Sequence, residues 1–191
     1  MPDETSVPDF LPETLALFRS QKQAVERALA QVADADLDRV PGDRSTADGE
    51  NSIALIVQHI AGNQRSRWTD FLTSDGEKPD RQRDTEFAER GLSRAELMDL
   101  WESGWSALFG ALEPLTAADM TRTVTIRGEP HTVAKAILRQ VAHYATHVGQ
   151  IVQLARHFAG SEWTSLSIPR GGSGAFNASM EEKAKRDRQG S

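Results

Sequence analysis

The chain has 191 residues, 38% hydrophobic and 26% charged, enough for one globular domain with a sizeable core, and its mean hydropathy of -0.50 excludes a membrane-embedded chain. Lys and Arg number 22 against 28 Asp and Glu, and the net charge of -6 opposes nonspecific binding to a phosphate backbone, so no nucleic-acid partner is expected. With no cysteine, the chain can form neither disulfides nor cysteine-ligated zinc or iron–sulfur centres, so any transition-metal site must use histidine and oxygen donors.

The longest aliphatic run, residues 53–57, is too short to span a bilayer, and the acidic start Met1-Pro2-Asp3-Glu4-Thr5 lacks the features of a secretory signal. A cytoplasmic protein with no membrane partner is expected. No internal repeat or linker-like block occurs, so residues 1–177 read as a single domain, with 178–191 a flexible, charged, solvated tail.

The first helix is predicted from about Leu11, where Leu11, Leu15, Phe18, Val25, Leu29 and Val32 recur at helical spacing, and it ends before Val40-Pro41-Gly42-Asp43. The second follows Asp48-Gly49-Glu50, is capped by Asn51 or Ser52, carries Ile53, Val57, Ile60, Trp68 and Phe71, and stops near Ser74-Asp75-Gly76. Residues 77–90 have no apolar face and read as a loop. A capping box, Ser93-Arg94-Ala95-Glu96, opens the third helix, whose buried side is Leu97, Leu100, Trp101, Trp105, Leu108 and Leu112, with Pro114 beyond its end. The β-branched run Thr123-Val124-Thr125-Ile126 and the turn Arg127-Gly128-Glu129-Pro130 predict a short hairpin or extended crossover. The last helix starts at a Thr132 cap and runs to about Phe158, with Ile137, Val141, Tyr144, Val148, Ile151 and Ala155 spaced by fours and threes. Four amphipathic helices with one long loop and one hairpin predict an all-α four-helix bundle.

Among five histidines, His143 and His147 stand one helical turn apart, so their imidazoles point the same way and can reach one ion. Each precedes a seam residue, Tyr144 or Val148, and His59 has the same relation to Ile60 on the second helix. If those two helices are neighbours, the three imidazoles converge. Such a site would hold a divalent ion with open coordination positions, able to deprotonate water or polarise a thiol or carbonyl. The competing expectation is that the histidines are packed and hydrogen-bonded at the core border. Asn63, one turn after His59, and Gln150, three residues after His147, are candidates to orient a ligand or a bound water, with polar bonding between helices as the alternative. Arg139 precedes His143 by one turn and can meet an anionic substrate, although a solvated arginine is the simpler expectation. His131 and His157 are assigned capping or surface roles.

No HExxH, Glu-x-x-His, GxGxxG or phosphate-binding loop occurs, and Gly171-Gly172-Ser173-Gly174-Ala175 lacks the last glycine of a nucleophile elbow and reads as a flexible turn. The segments Ile56-Val57-Gln58-His59-Ile60-Ala61-Gly62-Asn63 and His143-Tyr144-Ala145-Thr146-His147-Val148-Gly149-Gln150-Ile151 resemble the DinB/YfiT-like superfamily of metalloenzymes. The stretch from Trp163 to Gly171, with Phe176-Asn177 beyond, resembles a branch of it described as a domain of unknown function. The resemblance implies a four-helix bundle, His59, His143 and His147 as ligands of a nickel or zinc ion, and a homodimer. It further implies a small-molecule substrate and a transferase using a low-molecular-weight thiol such as bacillithiol or mycothiol. The alternatives from another class are a non-catalytic metal-binding or stress-related interaction protein, or a metal-dependent hydrolase using the same ligands. Trp163, Leu166, Ile168 and Phe176 are expected to anchor the glycine-rich segment on the end of the bundle or over the pocket.

Overall fold

The computed structural model describes residues 10–42 and 51–189; the acidic start, Asp43 and the Asp48-Gly49-Glu50 signal lie outside them. The protein is mostly helical: α1 (Phe10–Leu29), α2 (Ile53–Trp68), α3 (Arg94–Leu112), α4 (Val133–Ala159) and α5 (Ser173–Gln189), with strands β1 (Thr123–Ile126) and β2 (Glu129–Thr132) before α4. Helix α1 packs on α4 and α3, and α2 packs on α3 and α4, so each of the first four helices has two of the others as neighbours. No helix among the described residues is long and apolar enough to cross a membrane.

The local signals account for most boundaries. Ser52 caps α2 by accepting from the Leu55 amide at 3.2 Å. Ser93 and Glu96 close the capping box of α3, and Thr132 caps α4 by accepting from Lys135 N at 3.1 Å. Helix α2 ends at Trp68, earlier than predicted, because Thr69 turns to extended backbone and Asp70 takes a φ of 49°. Phe71 still reaches the core from the turn that follows. The hairpin forms as expected, with Thr123 opposite Thr132 and Ile126 opposite Glu129. Arg127 and Gly128 at its tip have φ of 54° and 76°, the left-handed pair that matches the twist of a two-residue hairpin loop.

The core is built around aromatic side chains from four helices: Phe18 lies edge-on to Trp68 and Trp105 at 6.4 and 6.2 Å, and tilted against Tyr144 at 5.9 Å. Tyr144 is fully buried, and its hydroxyl donates to Asn63 Oδ1 at 3.0 Å while accepting from Trp68 Nε1 at 3.1 Å. Gly104 of α3 permits close approach to α2, since a Cβ there would stand 3.0 Å from the Ala61 Cα.

Two expectations about the C-terminal region are corrected. Ser173, Gly174 and Ala175 open α5, which continues through residues 178–189 where a flexible tail is expected, while Gly171 with φ of 83° keeps the turn before it. Residues 175–189 contain no glycine or proline and are rich in Ala, Glu, Lys and Arg, so intrinsic helix propensity carries the segment without burial. Of the four apolar anchors, Trp163 and Leu166 pack against the core, whereas Ile168 and Phe176 are exposed.

Candidate metal centre

Helix α2 is buried on nearly every side, and its polar residues Gln58, His59, Asn63, Gln64, Ser66 and Arg67 are enclosed with its apolar ones. It carries His59, 4% exposed, towards α4, which presents His143 and His147 half-buried from successive turns. The two helices are neighbours, which is the condition for convergence, and one nitrogen from each of the three imidazoles lies within 4.8 Å of the others. His143 Nε2 is 3.1 Å from His147 Nε2 and 3.4 Å from His59 Nε2. Two ligands held tetrahedrally at the usual zinc–nitrogen distance are about 3.3 Å apart, so these separations fit a single ion.

The opposite nitrogen of each ring has its own oxygen partner. His59 Nδ1 donates to Glu86 Oε2 at 2.8 Å, His143 Nδ1 to Gln140 Oε1 at 3.3 Å, and His147 Nδ1 to Gln150 Oε1 at 2.8 Å. With the ring protons placed on Nδ1 towards these oxygens, the Nε2 lone pairs face one another, an arrangement that a shared cation or proton relieves. Burial, reinforced by the charges that His147 and His59 would carry, pushes the His143 pKa down to about 3. Burial likewise lowers that of His147. Both rings are therefore neutral near pH 7, the form that ligates a metal.

Glu86 belongs to the polar stretch 77–90, which the sequence marks only as a loop. It sits on a short 3-10 turn, Arg83–Phe87, packed against α2. Burial acts to raise its pKa, but hydrogen bonds from His59 and Arg81 and the Arg81 charge outweigh that and hold it below the ordinary carboxylate value. Arg81 makes the paired contact, Nε to Oε1 at 2.7 Å and Nη2 to Oε2 at 2.8 Å, and its Nη1 reaches Glu77 at 3.0 Å. Phe87 stacks on the His59 ring at 4.7 Å.

Of the expected supporting residues, Gln150 contacts a metal-candidate imidazole, whereas Asn63 bonds to the Tyr144 hydroxyl. Gln140, Glu86, Arg81 and Phe87 were not anticipated. Gln140 had a legible signal, standing three residues before His143 as Gln150 stands three after His147. His131 is buried in the hairpin with Nδ1 bonded to Glu129 O at 3.0 Å, and His157 is exposed beside Phe158, so neither joins the cluster.

No curated protein matches the chain. The family model described as "Protein of unknown function (DUF1572)" matches residues 6–172, which include all three histidines and stop just before α5, and the chain belongs to that family.

Proposed function

We propose that this protein is a metal-dependent enzyme in which α1–α4 form a DinB/YfiT-like four-helix bundle and His59, His143 and His147 hold one divalent ion, nickel or zinc. The observation that carries the reading is the trio of Nε2 atoms turned towards one another, each ring fixed from behind by an oxygen acceptor. Bound there, such an ion supplies Lewis acidity that lowers the pKa of a thiol or water it holds.

The protein's own residues keep the His143 and His147 imidazoles neutral, fix the orientation of all three rings and shield one face of His59 with Phe87. Three ligands leave coordination positions open, as in catalytic rather than closed structural sites. With no cysteine in the chain, a thiol nucleophile has to come from a low-molecular-weight cofactor, and the reaction proposed is its transfer to a small electrophilic substrate. A homodimer belongs to the same reading and rests on the superfamily resemblance.

The test is elemental analysis of untagged protein purified without chelator, beside the variant His143→Ala/His147→Ala. Near-stoichiometric nickel or zinc is expected in the parent and none in the variant, with helical circular dichroism retained. Metal that persists in the variant, or a parent that takes up none of the added ions, would overturn the assignment. Turnover of esters or amides without added thiol would replace transfer by hydrolysis on the same ligands.

A further inference from the structure

A cavity of about 210 Å³ opens beside the imidazoles, walled on one side by His59 and His143. Among the described residues five arginines line it, Arg67, Arg81, Arg83, Arg127 and Arg139, and no carboxylate does. Three of the five are already engaged. Arg81 is held by Glu86 and Glu77, Arg127 reaches Glu77 at 3.3 Å, and Arg83 lies over the Phe87 ring at 5.1 Å. The third nearby carboxylate, Asp75, accepts from the backbone amides of Glu77, Arg127 and Gly128.

Arg67 is different. It is 3% exposed, its Nε and Nη1 have no hydrogen-bond partner among the described residues, and its Nη2 comes no closer to Glu77 than 4.0 Å. A guanidinium is a five-donor fork that stays charged, and enclosing one with donors unmet is costly unless an anion completes the site. Across the cavity Arg139 is exposed and makes one weak contact, 3.5 Å to His131 Nε2. The cavity is more than ten times the roughly 10–15 Å³ that one water needs.

The positions follow a simple rule on both helices. Arg67 lies two turns after His59 on α2, and Arg139 lies one turn before His143 on α4, so each arginine shares a face with a candidate ligand. Along the helix axes these offsets are about 12 Å and about 6 Å. A molecule gripped by the two guanidinium groups can thus extend its reacting end to the imidazole cluster.

We propose that Arg67 and Arg139 form a subsite for an oxyanionic group of the substrate, a carboxylate or a phosphate, beside the three-histidine centre. Its role as a substrate subsite rests on the metal reading above, whereas oxyanion binding as such does not. The planar fork of arginine matches both anions, and among the described residues neither guanidinium has a carboxylate within hydrogen-bond distance to compete.

The test is isothermal titration calorimetry at low salt, with inorganic phosphate in one arm and malonate in the other, on metal-free and zinc-loaded protein. One-to-one binding of at least one anion is expected, and the tighter arm assigns the group. Arg139→Gln and Arg67→Gln should each weaken binding about tenfold or more while metal content stays at the parent level. Because Arg139 is exposed, its variant keeps the test decisive if Arg67→Gln fails to fold. His143→Ala/His147→Ala should lose metal and still bind the anion. Failure of both anions to bind either form, or unchanged affinity in Arg139→Gln, would overturn the subsite and leave the metal reading intact. Anion binding by a parent that takes up no metal would sustain the oxyanion site and sink the metal centre.

Discussion

Glu86 shows how much of the centre depends on single atoms away from the imidazoles. Its carboxylate occupies space that a Cβ on Gly62 would fill, so the glycine one turn of α2 beyond His59 makes room for the acid that orients His59. Glu86→Gln keeps the shape but removes the charge that binds Arg81 on two atoms and fixes the His59 proton on Nδ1. Partners of this kind are commonly worth about 10–100-fold in metal affinity. The variant should therefore bind zinc about 10–100-fold more weakly in competition with a chromophoric chelator, and an unchanged Kd would show that the contact does not tune the ligand. The same residue marks a limit of the sequence. His143 and His147 declare themselves by spacing within one helix, and His59 by its relation to Ile60. Glu86 has no such signal, because it is 27 residues from His59 and embedded in a stretch without periodicity.

At the level of elements, the loop that supplies Arg81 and Glu86 is moored to the hairpin. Asp75 accepts from Arg127 N at 2.8 Å and Gly128 N at 2.9 Å, and Gly76 N donates to Thr125 O at 2.8 Å. The hairpin was legible from its β-branched strand and its turn residues, but its attachment to the segment after α2 was not, since that depends on backbone amides 52 and 53 residues away. Helix α2 illustrates the complementary failure. A single apolar stripe is what its sequence predicts, whereas the structure encloses His59, Asn63, Gln64 and Arg67 as well, because α3, α4 and the 3-10 turn surround it. For Asp75, burial favours the neutral acid but the three backbone amides win, lowering its pKa below 3.8. A carboxyl with a depressed folded-state pKa stabilises the fold above its unfolded value and loses that contribution as pH falls through the folded value. Asp75→Asn should therefore destabilise the protein at pH 7 in urea unfolding, by no more than about 1 kcal/mol because solvent screens this carboxylate, and by progressively less below about pH 4. A deficit that stayed constant down to pH 2 would count against the carboxylate as the mooring group.

On the scale of the whole molecule, the chain after α4 divides into a docked piece and an exposed one. Thr164 N donates to Gln31 Oε1 at 2.6 Å, Gln31 Nε2 to Thr164 O at 3.2 Å, and Arg27 Nη1 to Leu166 O at 2.9 Å, while Trp163 and Leu166 pack on the core. None of these residues lines the cavity beside the histidines, so the docked piece covers the far end of α1 and does not gate the centre. Apolar residues in the sequence suggested four anchors with equal force, and only the structure separates Trp163 and Leu166 from the exposed Ile168 and Phe176. From Ser173 onward α5 exposes every residue whose side chain is described, and it lies beyond the family match. Removing residues 173–191 should then change stability by less than about 0.5 kcal/mol in urea unfolding, since exposed surface positions contribute little. Removing residues 162–191 also takes away two half-buried apolar side chains and three hydrogen bonds, and should lower stability by about 2–4 kcal/mol. Equal losses in the two truncations would mean that α5 itself packs on the body of the protein, since only then would the shorter deletion remove as much as the longer.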